Sequence, residues 1–258
     1  MSILKSLLIA SFKSQTTYLR NFLFENFFTA VSIFSNFLVI SFLLMKFKSI
    51  DGWTLYEIAV IHGIITFGTA VFRLFGSGVH NFEIYILKGE LDILLLKPIP
   101  IPIQLLLQRF EFRRLGQLLQ ALFVGLWGAS HIYADNPMIY IEFFVLCIFS
   151  AIIVTETSFL IAAIAFWTGK NRDIIALTFF STSEASLYPT SIYSKPLQGF
   201  LTFIVPFACI AYWPLSYIKG HCDSLLALFS PLLTCICFFL INVLVWKKGM
   251  HRYSSTGS

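Results

Sequence analysis

Charge is what this sequence has least of. Only 12% of its 258 residues are Asp, Glu, Lys or Arg, against roughly 25% in an ordinary soluble domain. With 57% hydrophobic residues and a mean hydropathy of +0.81, that scarcity excludes a water-soluble globule. A chain of this length cannot hide so much apolar surface in its own core, so lipid must solvate much of it. Nucleotide-hydrolysing chemistry is missing as well. Gly169-Lys170 is the nearest approach to a P-loop, but Asn171 follows and no Gly lies five residues before Gly169. There is no His-Glu-x-x-His stretch, and Gly76-Ser77-Gly78 is not a nucleophile elbow. No catalytic residue, metal site or cofactor of its own is expected. Cysteines are few and odd in number: Cys147, Cys209, Cys222, Cys235 and Cys237 show no zinc spacing and read as packing residues. Cys209 and Cys222 are the one pair that an oxidising side could join. Leu7–Ala10 is too short for a leader core, and Lys13 and Arg20 follow it, so no signal peptide is expected.

What is present is aromatic and aliphatic. Aromatic residues reach 17%, with 29 Phe, a side chain apolar enough to face lipid. A helix needs about 20 apolar residues to cross about 30 Å of hydrocarbon. Seven stretches compete for that role: Phe27–Met45, Trp53–Gly78, Leu115–Ala134, Pro137–Gly169, Ile174–Tyr193, Leu197–Ile218 and Ser224–Trp246. The first and last carry no charge, and Ile174–Tyr193 is the more polar candidate.

The net charge of +5 is not gathered into a patch for nucleic acid; the basic residues fall between the apolar stretches. Lys5, Lys13 and Arg20 precede the first. Lys88, Lys97, Arg109, Arg113 and Arg114 lie between the second and third, Lys170 and Arg172 follow the fourth, and Lys247, Lys248 and Arg252 follow the last. The alternate connections hold only Lys46, Lys48, Lys195 and Lys219. The positive-inside rule puts the richer set in the cytoplasm. Both termini are then cytoplasmic and the number of crossings is even, so one stretch fails to cross. Leu197–Ile218 is that stretch: Pro206 and Pro214 break helical hydrogen bonding, and Tyr188-Pro189 and Lys195-Pro196 interrupt the chain before it. The expectation is an all-α polytopic membrane protein in one domain over residues 1–258. It has six transmembrane helices and, over residues 188–220, an outer re-entrant hairpin whose backbone neighbouring protein must satisfy.

Two further segments carry information. In residues 1–24, Ile3, Leu4, Leu7, Leu8 and Phe12 recur at helical spacing beside Lys5 and Lys13, which reads as an amphipathic helix lying on the cytoplasmic leaflet. The cytoplasmic connection over residues 81–104 is unusually apolar for its place. It holds Phe82, then Gly89-Glu90-Leu91-Asp92, then Leu94-Leu95-Leu96-Lys97-Pro98. Leu91, Leu94, Leu95 and Pro98 are expected on one face of a short helix, flanked by Glu90, Asp92 and Lys97. That face suits a groove in another protein; an amphipathic helix resting on lipid is the blander alternative.

Here the sequence resembles the ABC-2 type permeases. The resemblance rests on Gly89-Glu90-Leu91-Asp92 followed by Leu95-Leu96-Lys97-Pro98, on Tyr188-Pro189 with Ile192-Tyr193, and on Leu201-Thr202-Phe203-Ile204-Val205-Pro206 continuing to Tyr212, Pro214, Tyr217 and Gly220. Lys97 stands where Arg is commoner, and Ser194 where a Pro commonly follows. The resemblance implies a transport subunit of the inner membrane, a coupling helix between the second and third spans, and an outer hairpin before the sixth. It also implies a second permease subunit, identical or related, and ABC ATPase subunits that hold the ATP and Mg. Export is implied by the resemblance alone.

Polar residues within the spans are the remaining candidates. Glu156 and Glu184 are intramembrane carboxylates, costly unless they face protein or water. They read either as polar points in a transport pathway or as helix–helix contacts with partners such as His62 or Arg73. If the chain were instead a secondary transporter driven by an ion gradient, these two would be its essential groups. Arg73, near the end of its span, reads as a snorkelling side chain. Ala121, Gly125 and Ala129, and likewise Ala59 and Gly63, follow small-xxx-small spacing, fitting close packing within the subunit or a dimer seam.

Overall fold

The computed structural model describes residues 9, 12–108, 110–132 and 138–254. Six principal helices organise them: α1 (Leu19–Phe47), α2 (Leu55–Phe75), α3 (Leu115–Ile132), α4 (Met138–Ala163), α5 (residues 172–185) and α6 (Ser230–Arg252). Among the described residues extended pairing is confined to a bridge between Ile50 and Trp53.

α2 is the centre of the molecule. In its apolar window 78% of residues are buried, against 17% in α1 and in α6, so the central helix is wrapped by protein and the outer two offer their Phe, Leu and Ile side chains to lipid. Its start is fixed by sequence: the Glu57 carboxylate accepts the backbone N–H and hydroxyl of Thr54 at 2.7 and 2.8 Å, a capping arrangement that satisfies otherwise orphaned groups. α1 begins inside the stretch expected to lie along the leaflet; Ile3, Leu4, Leu7 and Leu8 fall outside the described residues. Phe12 packs its ring against Phe22 and Phe112, at 6.2 and 5.2 Å, and Asn26 accepts the Gly116 amide at 2.8 Å, tying the start of α1 to the start of α3.

The small residues of α2 and α3 face each other. A β-carbon on Gly63 would lie 2.5 Å from the Gly125 Cα and 2.8 Å from the Ala121 carbonyl oxygen, and one on Gly128 would lie 2.5 Å from the Tyr56 carbonyl oxygen. Their spacing therefore serves close packing inside the subunit, which corrects the dimer-seam reading.

Among the described residues four helices are long and apolar enough to cross a membrane, or five if the bent pair Lys195–Ile204 and Phe207–Ile218 counts as one span. α3 is 18 residues long but carries Gln117, Gln120 and His131. α5 is shorter than the expected fifth span. At 1.5 Å per residue it extends roughly 20 Å, and Ile175–Phe180 within it is a π-helical turn. Thr178 donates to the Ile174 carbonyl at 2.5 Å and Ser183 to that of Phe180 at 2.8 Å. Hydroxyls bonding back to the helix loosen its ladder, and Tyr188-Pro189 then ends it.

The bent pair turns by 78° at Val205-Pro206, where proline offers no N–H. The break is deep in protein: Val205, Phe207, Ala208, Ile210 and Ala211 are all buried. Side chains meet its polar groups, Trp213 Nε1 donating to Thr202 Oγ1 at 3.2 Å and Ser230 Oγ to the Cys209 carbonyl at 3.2 Å. Irregular backbone at membrane depth requires such shelter. All five cysteines are free thiols, so the Cys209–Cys222 bond is not formed.

Candidate functional site

Between α2 and α3 the chain leaves the bundle as a chain of short helices: Ser77–His80, Phe82–Leu87, Glu90–Leu95 and Ile101–Leu107. Gly89, at φ +68°, makes the left-handed turn that a β-carbon would strain. Gln104 is buried and its Nε2 donates to the carbonyls of Leu94 and Ile99 at 2.8 and 2.6 Å, closing the Leu96–Pro100 turn.

The rotation of this segment differs from the expected one. Leu91 and Leu94 turn inward, 0% and 3% exposed, while Leu95 stays outside at 47% beside Ile93 at 58% and Leu96 at 86%. Lys97 and Pro98 are exposed as well. Phe82, expected to serve coupling, is fully buried, its ring 5.0 Å from those of both Phe166 and Trp246. It anchors the segment to the ends of α4 and α6 and offers no docking surface. Glu90 and Asp92 are half-buried in the first turn of their helix, where carboxylates favour the helix dipole. Burial and the neighbouring Asp92 carboxylate push the Tyr253 phenol up from its usual range.

Sequence reasoning missed Glu83. Its Oε2 accepts the backbone N–H groups of Asn171 and Arg172 at 2.8 and 3.0 Å, capping the start of α5 from a position 88 residues earlier. No local spacing announces that pairing. His80 was missed too. Its ring lies 4.8 Å from Phe72 and 5.0 Å from Phe179. Burial, with Arg73 nearby, holds its imidazole down at about 4.

Within the bundle, α1, α2, α3 and α5 surround a cavity of about 70 Å³. Asn36, Thr66, Thr69, Arg73, Gln117, Ser183 and Glu184 line it with Ile33, Ile65, Phe179, Phe180 and Leu187. Asn36 Nδ2 donates to Glu184 Oε2 at 3.4 Å, Gln117 Nε2 donates to Thr69 Oγ1 at 3.2 Å, and the Arg73 guanidinium sits 4.8 Å over the Phe180 ring. The Gln117 carboxamide oxygen is buried there without a partner. Glu184 thus shares a polar cavity with Arg73. Glu156 does not: it sits on α4, where Asn242 Nδ2 of α6 donates to its backbone carbonyl at 3.0 Å. His62 pairs with neither carboxylate; its Nε2 is 3.3 Å from Gln120 Nε2.

The hairpin reaches from the start of α2, where Tyr212 packs against Trp53, to α5, where Phe207 lies 6.2 Å from Phe179. Pro189, Pro206 and Pro214 are buried, with Tyr188 and Tyr212 half-buried beside them. The Tyr193 hydroxyl donates to the Ala185 carbonyl at 2.8 Å, joining the hairpin to α5. Lys219 closes the other side. Its Nζ is 2.7 Å from Glu57 Oε2, donates to the Gly52 carbonyl at 3.0 Å, and lies 4.4 Å over the Trp53 ring, which also packs 5.5 Å from Tyr212.

Comparison with known families finds a match over residues 30–257 to a family described as ABC-2 family transporter protein. No curated protein and no solved structure matches the chain.

Proposed function

Because this chain belongs to the ABC-2 family of transporter proteins, we propose that it is the permease subunit of an ABC exporter in the inner membrane, driven by ATP and Mg held on separate ATPase subunits. It crosses the membrane six times with both termini in the cytoplasm. α5 and the turns that continue it make the fifth crossing, and the bent pair forms an outer re-entrant hairpin. The charge distribution supports that orientation. Lys88, Lys97, Arg113, Arg114, Lys170, Arg172, Lys247, Lys248 and Arg252 belong to the end that carries the coupling segment; Lys46, Lys48, Lys195 and Lys219 belong to the other.

The observation that carries the reading is the apolar strip Ile93, Leu95 and Leu96, exposed at the basic end beside Lys97 and Pro98. Apolar side chains that project into cytosol call for a protein partner, and this strip is the surface an ATPase subunit would grip. Gly89, Glu90, Leu91, Asp92 and Leu94 set its shape. The cavity between α2 and α5 is the polar part of the pathway. Asn36 and Glu184 reach its exposed rim, so a second permease subunit, identical or related, covers them.

Purification of the membrane complex in mild detergent, followed by identification of the bound subunits, tests this. A nucleotide-binding subunit is expected, and Leu96→Asp should lower its recovery at least tenfold while insertion is unchanged. Absence of any such subunit overturns the reading. A secondary transporter driven by an ion gradient would instead make both Glu156 and Glu184 essential, and Glu156 is not among the residues lining the cavity of Glu184. Transport that survives loss of the ATPase subunit but not Glu184→Gln would restore that alternative.

A further inference from the structure

The coupling segment holds α5 at two places. At the first, one carboxylate oxygen of Glu83 accepts two successive N–H groups, from Asn171 and Arg172, at 2.8 and 3.0 Å. These are the amides that a helix start leaves without internal partners, and a charged acceptor there is favoured by the helix dipole. At the second, the His80 ring rests 5.0 Å from Phe179 and 5.9 Å from Phe180, inside the π-helical turn Ile175–Phe180. Beyond that turn α5 carries Ser183 and Glu184 into the polar cavity, and Phe180 lies beneath the Arg73 guanidinium.

We propose that Glu83 is the positioning residue through which the coupling segment moves α5, and with it the Phe180–Glu184 wall of the cavity. Two short hydrogen bonds to a charged acceptor hold position along the helix axis, whereas ring contacts such as His80 with Phe179 can slide. Glu83 belongs to the helix Phe82–Leu87, whose Phe82 is locked between Phe166 and Trp246. Motion of the segment therefore reaches α5 with little slack. The π-helical turn gives α5 a place to change register in response. The inference rests on the proposed coupling to an ATPase, but the Glu83 link itself can be tested without one.

The first measurement uses the full chain in nanodiscs. Glu83→Ala should speed amide hydrogen exchange at Asn171 and Arg172 roughly fivefold or more and leave α2 and α3 unchanged. Glu83→Gln, which keeps an acceptor without the charge, should fall between the two and serves if the Ala variant folds poorly. Unchanged exchange in both variants overturns the inference whatever the ATPase does. The second measurement uses the purified complex, its native cysteines replaced and Asn36→Cys and Glu184→Cys introduced across the cavity rim. A short thiol cross-linker should react at a rate that ATP and Mg change several-fold when Glu83 is present. Glu83→Ala should abolish that nucleotide response with the ATPase subunit still bound in wild-type amount. A Glu83→Ala complex that keeps the full response refutes the positioning role. A complex with Glu83 intact and no response to nucleotide refutes the transporter reading itself.

Discussion

Leu94 and Leu96 stand two residues apart and do opposite work. Leu94 is buried in the core with Leu91 and Phe82, while Leu96 is the most exposed of the large apolar residues on its segment. Leu94→Ala should therefore cost about 2–5 kcal/mol of stability, seen as a lower unfolding midpoint in detergent. Leu96→Asp should change stability by no more than about 0.5 kcal/mol and act on subunit association alone. His80 supplies a pH dependence outside the spans. Its imidazole titrates at about 4 in the folded protein and at 6.5 when free. Between those values the unfolded chain binds the extra proton, so this contribution is complete above pH 6.5 and is lost as pH falls toward 4. The loss is on the order of 3 kcal/mol. Thermal unfolding across that window should show it, and His80→Gln should flatten the slope.

Elements are held by contacts of two kinds. α2 and α3 meet through glycine against backbone, where nothing can give way: the β-carbon of Gly63→Val would fall 2.5 Å from the Gly125 Cα. That substitution should cost about 3 kcal/mol and reduce the yield of folded protein, which size-exclusion chromatography would report. The hairpin is fastened to the start of α2 by a partly buried ion pair, Lys219 with Glu57, whose side chains are 15% and 13% exposed. Lys219→Met should loosen the hairpin. A double-mutant cycle with Glu57→Gln should return a coupling of about 1–3 kcal/mol, well above that of an exposed pair.

For the whole molecule, Asn36 and Glu184 stand exposed on α1 and α5, and hydrocarbon is a poor environment for both. The proposed second permease subunit would cover them. Native mass spectrometry of the intact complex should count two permease chains, and a complex with one would oppose that arrangement.

The sequence by itself determined the solvent and the general plan. Scarce charge and long apolar stretches require lipid, and the alternation of basic connections sorts the loops into a basic-rich and a basic-poor set. Pro206 and Pro214 mark a stretch that cannot run straight. These are local or compositional properties, set by what hydrocarbon tolerates. Tertiary structure alone decided the rest. Ile93, Leu94, Leu95 and Leu96 are apolar in succession, so no polar face fixes the rotation of their helix; the core closed by Phe82 does. Glu83 finds its partners 88 residues away, and Glu184 lines one cavity with Arg73 while Glu156 does not. Such meetings depend on how helices pack, because a side chain's partner across a bundle is set by the shape of the facing surface and leaves no spacing in the chain.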